Sequence, residues 1–130
     1  MGSHPRMYSD DDPYLPELRE LCLAFPESVE VEAWGWPTFR AGKKIFAMFA
    51  SGRSDGAFGV IFKPESEERP ALEQDPRLYS PPYWGPSGWL ELEFDAAPVD
   101  WDEVAELVEG SYRQVALKRM VKALDEPRGS

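Results

Sequence analysis

SPPYWGPSGWLELEF, residues 80–94, joins a turn rich in proline and glycine to a short strand, and it decides how the sheet is arranged. The prolines restrict the backbone and the glycines allow turn geometry, so the first part predicts a stiff turn that delivers WLELEF into a sheet. Along a strand, successive side chains point to opposite faces. The expected inward set is Leu90, Leu92 and Phe94, and the expected outward set is Trp89, Glu91 and Glu93.

The same alternation occurs in SVEVEAW, residues 28–34, and it predicts a second strand. Its expected inward set is Val29, Val31 and Ala33, and its expected outward set is Glu30, Glu32 and Trp34. Two strands that both turn glutamates and a tryptophan away from the core predict an open sheet face that is acidic and aromatic. The candidate ligand or partner face therefore consists of Trp34, Trp89, Glu30, Glu32, Glu91 and Glu93.

Two interpretations of these tryptophans remain open. The first, which we favour, is that they pack on each other or under a neighbouring loop, since half-buried aromatic side chains mostly serve packing. The second is a shallow site for a cationic group, because indole faces attract cations and adjacent carboxylates strengthen that attraction.

The patterns around these two stretches predict an α+β fold. Leucines at helical spacing predict a first helix from Pro13 or Pro16 to Ala24, which Pro26 ends. Further expected elements are strands with a turn at Ala41-Gly42 and a loop at residues 51–56, a short helix at residues 66–75 and a long last helix at residues 100–124. This order, α-β(3-4)-α-β(1-2)-α, predicts an antiparallel sheet of five or six strands with helices packed on one face.

The last helix has a clear start signal and a change of character along its length. Asp100 is its expected N-cap, and Glu103 three residues later completes a capping box. At 100° per residue, one apolar stripe continues into charged positions after Val115. The helix is therefore expected to bend or to extend beyond the core near Leu117.

Length and composition predict one domain. The 130 residues, 42% of them hydrophobic, suffice for a single core. Residues 1–7, MGSHPRM, are interpreted as the remnant of an expression tag, residues 8–124 as the domain and residues 125–130 as a flexible tail. No apolar run approaches the roughly 18 residues that a membrane span needs, so we expect a soluble, cytoplasmic protein with no membrane partner.

The residue inventory argues against catalysis. His4 is the only histidine, and it falls in the expected tag. Cys22, the only cysteine, lies among leucines, where a buried side chain is expected rather than a nucleophile. No glycine-rich phosphate loop is present. The sequence therefore predicts a protein that is not an enzyme, with no cofactor and no metal site.

Charge is distributed unevenly along the chain. The formal net charge is −10, yet residues 38–63 and residues 111–122 each carry +4, so the remainder carries −18. The candidate nucleic-acid contacts are Arg40, Lys43, Lys44, Arg53, Lys118, Arg119 and Lys122. The alternative is that Lys118, Arg119 and Lys122 only interact favourably with the dipole at the C-terminal end of a helix and with the acidic remainder of the surface.

Four stretches resemble the MmcQ/YjbR family of small bacterial proteins: ELCLAFPES, EAWGWPTFRAGKKIFAMFA, DPRLYSPPYWGPSGWLELEFD and VDWDEVAELVEGSYRQVALKR, in this order and spacing. The resemblance extends from about Leu15 to Arg119. It implies a secretion-chaperone-like or CyaY-like α+β fold and DNA binding through a double-wing surface. Many relatives have proline where this chain has Leu117, which favours a last helix that continues where theirs bends.

Together these observations predict a non-enzymatic binding module of the MmcQ/YjbR type. DNA is the expected partner by resemblance, through the hairpin turn and the last helix. The alternative is a protein-interaction or chaperone-like adaptor that uses the open sheet face with its tryptophans.

Overall fold

The computed structural model describes residues 5–50, 58–81 and 84–126, and it confirms the α+β class. The helices and strands, in chain order, are α1 (Leu15–Leu23), β1 (Ser28–Ala33), β2 (Trp36–Ala41), β3 (Lys44–Ala50), β4 (Gly59–Phe62), α2 (Arg69–Leu72), β5 (Leu78–Tyr79), β6 (Leu90–Glu93), α3 (Trp101–Val115) and α4 (Lys118–Asp125). The strands form one open antiparallel sheet in the order β1-β2-β3-β4-β6-β5, so β1 and β5 are its edges. No helix in these ranges is both long and apolar enough to cross a membrane.

The main core lies between one face of the sheet and helices α1, α3 and α4. Leu90, Leu92 and Phe94 are all buried in it, which confirms the predicted inward face of β6. The reverse face holds a smaller cluster of Met48, Ala50 and Ile61, against which tryptophan side chains pack. Both faces of the central strands are therefore covered, the first by helices and the second by aromatic residues.

The start of α3 agrees with the sequence, whereas the predicted last helix is divided into α3 and α4. The Asp100 carboxylate accepts hydrogen bonds from the backbone N–H groups of Asp102 and Glu103, as the capping signal predicts. Ala116 and Leu117 have extended backbone angles and separate α3 from α4. The sequence predicts either a bend or an extension beyond the core near Leu117, and the structure shows the bend; the expectation that the helix continues because proline is missing there is wrong.

The predicted orientation of β1 is wrong. Glu30 pairs with Phe39 of β2, and since directly opposite residues share a sheet face, Glu30 points to the helix side. There its carboxylate accepts hydrogen bonds from Arg19 of α1 at 2.9 and 3.0 Å. Val29 and Val31 point to the other side and are 47% and 39% exposed. The helix side of this edge strand lies outside the apolar core, so an ion pair takes the place of aliphatic packing.

Several sequence predictions fall at the limits of the described ranges. The predicted loop at residues 51–56, which includes Arg53, and the end of the predicted tail at residues 127–130 lie outside them. Within the expected tag remnant, the Met7 backbone N–H donates a 2.8 Å hydrogen bond to the carbonyl oxygen of Gly35, the second residue of the turn between β1 and β2.

A buried hydroxyl joins α3 to the sheet. The Ser111 side chain donates to the carbonyl oxygen of Phe46 at 2.7 Å and accepts from the backbone N–H of Lys63 at 3.0 Å. Phe46 and Lys63 adjoin the paired segments of β3 and β4, whose register starts at Ala47 and Phe62. The hydroxyl therefore satisfies two backbone groups where the ladder of sheet hydrogen bonds stops.

Ser111→Ala should lower the free energy of unfolding by about 1–3 kcal/mol, because it leaves a buried donor and acceptor without partners. Urea denaturation followed by far-ultraviolet circular dichroism measures the change. The exposed Ser87, changed to alanine in the same way, serves as control and should remain within about 0.5 kcal/mol of the parent. Equal unfolding midpoints for the two variants would contradict this role of Ser111.

Candidate functional site

Three tryptophans form a continuous chain of ring contacts on the reverse face of the sheet. The ring centroids of Trp34 and Trp84 are 5.7 Å apart, and those of Trp84 and Trp89 are 5.2 Å apart. The interplanar angles are 82° and 77°, so both pairs meet edge to face, an arrangement that aromatic quadrupoles favour. Trp84 thus connects the turn before β2 with the start of β6.

The loop that carries Trp84 and Trp89 is held by close backbone approach. The Trp89 N–H donates to the Trp84 carbonyl oxygen at 3.3 Å, and a short 3-10 turn, Gly85–Ser87, fills the space between them. A Cβ atom at Gly85 would lie 1.8 Å from the Ser80 hydroxyl oxygen, so only glycine fits. The stretch is the stiff turn that the sequence predicts, and it also delivers two indoles to one surface.

Trp34 occupies an unusual backbone conformation. It forms, with Gly35, the two-residue turn between β1 and β2, and its φ is 54° while that of Gly35 is 84°. Turns of this kind favour asparagine or glycine at the first position, because the left-handed region is costly for a residue with a large side chain. Trp34 is nevertheless 50% exposed, so burial of its ring offsets only part of the free energy that this backbone conformation costs.

A groove of about 590 Å³ lies beside these tryptophans, and we call it the tryptophan–lysine groove. Its walls combine three indoles, four cationic side chains and three further residues from β3 and α3. The lining residues are Trp34, Trp84, Trp89, Arg40, Lys43, Lys44, Lys63, Ile45, Gln114 and Val115. None of these lining residues is acidic.

The cations come from three places in the fold. Lys43 lies in the turn between β2 and β3, with Arg40 and Lys44 on the adjoining strands. The Arg40 Nε donates to the Thr38 hydroxyl at 3.2 Å, which orients its guanidinium along β2. Lys63 follows β4, and its carbonyl oxygen accepts a 2.6 Å hydrogen bond from the Gln114 side chain of α3. These elements converge although the residues are far apart in sequence.

Ion pairing separates the groove cations from the remaining arginines. Six arginines of the described ranges lie at ion-pair distance from carboxylates: Arg6, Arg19, Arg69, Arg77, Arg113 and Arg119. The four cations of the groove make no ion pair with any carboxylate of the described residues. Although the chain carries −10 overall, the groove is a local region of positive charge that no carboxylate of the described residues pairs with.

The predicted nucleic-acid contacts are only partly brought together. Arg40, Lys43 and Lys44 line the groove, whereas Lys118 and Lys122 lie on exposed positions of α4. A Cβ atom at Gly42 would lie 3.9 Å from the Met120 methyl group, so α4 packs beneath the turn that carries Lys43. The two basic segments are therefore neighbours in space.

Arg119 is engaged elsewhere. Its guanidinium donates to both carboxylate oxygens of Glu27, at 2.8 and 3.0 Å. These hydrogen bonds lower the pKa of Glu27 below its usual value and keep the carboxylate charged. Arg119 thus neutralises an acid of the same chain.

The predicted acidic and aromatic face does not exist as a unit. Trp34 and Trp89 do share a surface, but Glu30 and Glu32 lie on the other side of β1, where Arg19 and Arg6 pair with them. Glu91 is on the reverse face as predicted, yet it is fully buried beside Ile61. Glu93, at the end of β6, is half-buried. The tryptophans therefore face cations, which would repel the cationic ligand considered from the sequence.

Sequence reasoning missed the groove residues Trp84, Lys63 and Gln114. Trp84 lies in a loop without periodicity, and Lys63 is a single cation at the end of a strand, so neither had a pattern to mark it. The proline and aromatic content of residues 80–89 was a usable signal for Trp84.

The geometry defines the chemistry that the groove can accommodate. Lysine and arginine side chains bind phosphates and carboxylates, and indoles stack on planar rings. Cys22, by contrast, is completely buried in the main core, and burial raises the pKa of its thiol well above the usual value, so it does not supply a nucleophile here. The groove is suited to an anion that carries a planar group.

An open antiparallel sheet with helices on one face and a cationic, aromatic groove on the other defines a small α+β domain with a candidate binding site. The YjbR family model matches residues 23–114, and the chain therefore belongs to the YjbR family.

Solved structures agree with this fold. The Deinococcus radiodurans protein DR2400, described with a DUF419 domain, is 22% identical with a TM-score of 0.68, and the alignment covers 87% of this chain and 88% of that one. A Pseudomonas syringae protein is 16% identical with a TM-score of 0.57, covering 68% of this chain and 87% of that one. No curated protein matches the sequence significantly.

The backbone strain at Trp34 can be tested by comparing two substitutions. Trp34→Asn should be more stable than Trp34→Ala by about 1 kcal/mol, because both remove the ring but asparagine tolerates positive φ. Urea denaturation of both variants gives the difference. The same pair at Trp36, which lies in β2 and has no positive φ, is the matched control and should show no advantage for asparagine. Equal stability of the two Trp34 variants would contradict the strain.

Proposed function

We propose that this YjbR-family protein is a non-enzymatic binding module for nucleic acid, and that the tryptophan–lysine groove is its contact surface. The observation that carries the proposal is the collection in one groove of four cations that pair with no carboxylate of the described residues, whereas the other described arginines are paired with carboxylates. Phosphates of a nucleic-acid backbone are the abundant anions that such a surface fits.

The net charge of −10 limits the mode of binding without excluding it. Screening confines exposed charges to a range of about 8 Å at physiological ionic strength, so a phosphate in the groove responds mainly to the cations that line it. The acidic remainder of the surface repels nucleic acid that extends far from the groove. Contact over a few phosphates is therefore favoured over contact along a long duplex.

Lys118 and Lys122 extend the same surface. They are exposed on α4, which packs beneath the turn of Lys43, and neither pairs with a carboxylate of the described residues. We assign them a peripheral electrostatic contribution, and we assign the direct contacts to Arg40, Lys43, Lys44 and Lys63. A cytoplasmic location, where nucleic acid is at hand, is part of the proposal.

An adaptor function has separate support in β1. Val29 and Val31 are exposed on this edge strand, and strand addition at a sheet edge is a common way of binding a peptide. Such an adaptor would use the edge of the sheet rather than the tryptophans. Its peptide binding would be insensitive to charge changes in the groove.

The double substitution Lys43→Glu with Lys44→Glu should weaken nucleic-acid binding about tenfold or more at low salt, because it replaces two phosphate contacts with repulsion. For the parent, a plot of log affinity against log salt should have a slope of about −3 for a single strand, given four contacts. Substituting two of the four should reduce its magnitude by about 1.4. Fluorescence anisotropy with a labelled oligonucleotide measures both quantities.

Lys118→Glu with Lys122→Glu is the matched control, because it changes the net charge equally but leaves the groove intact. It should weaken binding much less than the groove variant. Equal losses for the two double variants would mean that net charge alone governs binding, and an affinity that does not depend on salt would refute the electrostatic basis of the proposal.

A further inference from the structure

We propose that the ligand of the tryptophan–lysine groove is single-stranded nucleic acid, with an unpaired base against the tryptophans and its phosphates on the surrounding cations. This inference rests on the proposed function and specifies the form of nucleic acid that the groove accepts. It also assigns Trp34 as a ligand-contacting residue.

The aromatic wall of the groove is shaped for a planar ring. Trp34, Trp84 and Trp89 meet nearly at right angles, so each pair of indoles forms a corner. A planar base can stack on one ring of a corner while its edge meets the other. Base–indole stacking tolerates any sequence, since every base has a π face.

Trp34 is held in a conformation that its packing alone does not explain. A tryptophan at φ 54° in a two-residue turn is strained, and half of the side chain stays in water. Asparagine or glycine would form the same turn without that strain. Strained residues of this kind concentrate where a ligand is bound, so the exposed indole is best explained by contact with a ligand.

The positions of the cations fit a single nucleic-acid strand that runs past the indoles. Lys63 lies on the side of Trp89, since a Cβ at the neighbouring Gly88 would be 3.7 Å from the Lys63 Cε. Arg40, Lys43 and Lys44 lie around the turn between β2 and β3. Cations thus adjoin the aromatic wall at more than one place, and a backbone can keep its phosphates in contact while one base turns into the groove.

A duplex cannot use this arrangement equally well. Its bases are stacked on each other inside the helix, so their faces are not available to the tryptophans unless pairing is broken. It also brings twice the phosphate density near a molecule that carries −10. The groove gains from stacking only with unpaired bases, whereas a duplex gains from the cations alone.

The test compares the binding of four ligands to the 130-residue chain by fluorescence anisotropy at low salt. They are an oligothymidylate and an oligouridylate of about ten nucleotides, a duplex of the same length, and an abasic strand with the same number of phosphates. Both single strands should bind about tenfold or more tightly than the duplex and the abasic strand, and should quench tryptophan fluorescence. DNA and RNA strands that bind equally well indicate recognition of base and phosphate, and a preference for one identifies either the sugar or the thymine methyl group as a further contact.

Variants test whether Trp34 is the residue that contacts the base. Trp34→Asn, which suits the turn, should lower the affinity for oligothymidylate about tenfold while the salt slope stays unchanged. Trp101→Phe, a change in α3 outside the groove, is the matched control and should leave the affinity unchanged. Trp34→Phe keeps a ring and should lose less affinity than Trp34→Asn.

The outcomes distinguish this inference from the proposed function. Equal affinity for the duplex, the abasic strand and oligothymidylate, or an undiminished affinity of Trp34→Asn, would overturn the inference and leave a general nucleic-acid function in place. Absence of binding to any of the four ligands at low salt would overturn both. The comparison of ligands uses the unaltered protein, so it decides the matter even if a variant fails to fold.

Discussion

The contact of Trp84 with Trp34 on one side and Trp89 on the other determines the character of the reverse face of the sheet. Trp34 belongs to the turn between β1 and β2, and Trp89 precedes β6, so the three rings join opposite parts of the sheet. Trp84 and Trp89, together with Trp36, pack against the central strands, where Met48, Ala50 and Ile61 form a small second core. Without the tryptophans, the reverse face of the sheet would expose these apolar side chains to water. The part of that face that the tryptophans do not cover forms a groove bordered by cations.

The cations of the groove differ from the other cations of this protein in their ion pairing as well as in their position. An acidic chain offers many carboxylates, and each of the six paired arginines of the described residues contacts at least one. Lys43, Lys44 and Lys63 line the groove, where no lining residue is acidic, so their charges can interact with an anionic ligand. The net charge of −10 argues against binding of nucleic acid over the whole surface. A local group of cations in such a chain therefore indicates where an anion would bind.

The fold could be predicted to the level of element order, while the site depended on contacts that sequence patterns do not encode. The parity of β6 was correct because Leu90 and Leu92 lie between two neighbouring strands above a complete core. The same reasoning failed for β1, because an edge strand can turn either face to its helix and Arg19 was available to pair with Glu30. Lys63 and Trp84 were missed because each lies outside any periodic segment. The family resemblance supplied the fold and pointed to the hairpin turn that carries Lys43, but it gave no information on Lys63 or on the aromatic wall of the groove.

The break between α3 and α4 links the rigid part of the molecule to the groove. Val115 lines the groove, and extended angles at Ala116 and Leu117 turn the chain so that Met120 packs beneath the turn at Gly42. Ser111, one turn of α3 earlier, fixes that helix to β3 and to Lys63 through a buried hydroxyl. The cations of the groove are thus attached to backbone positions that the core determines, so little ordering of the backbone is left for a ligand to impose, and binding loses less free energy than it would at a mobile loop.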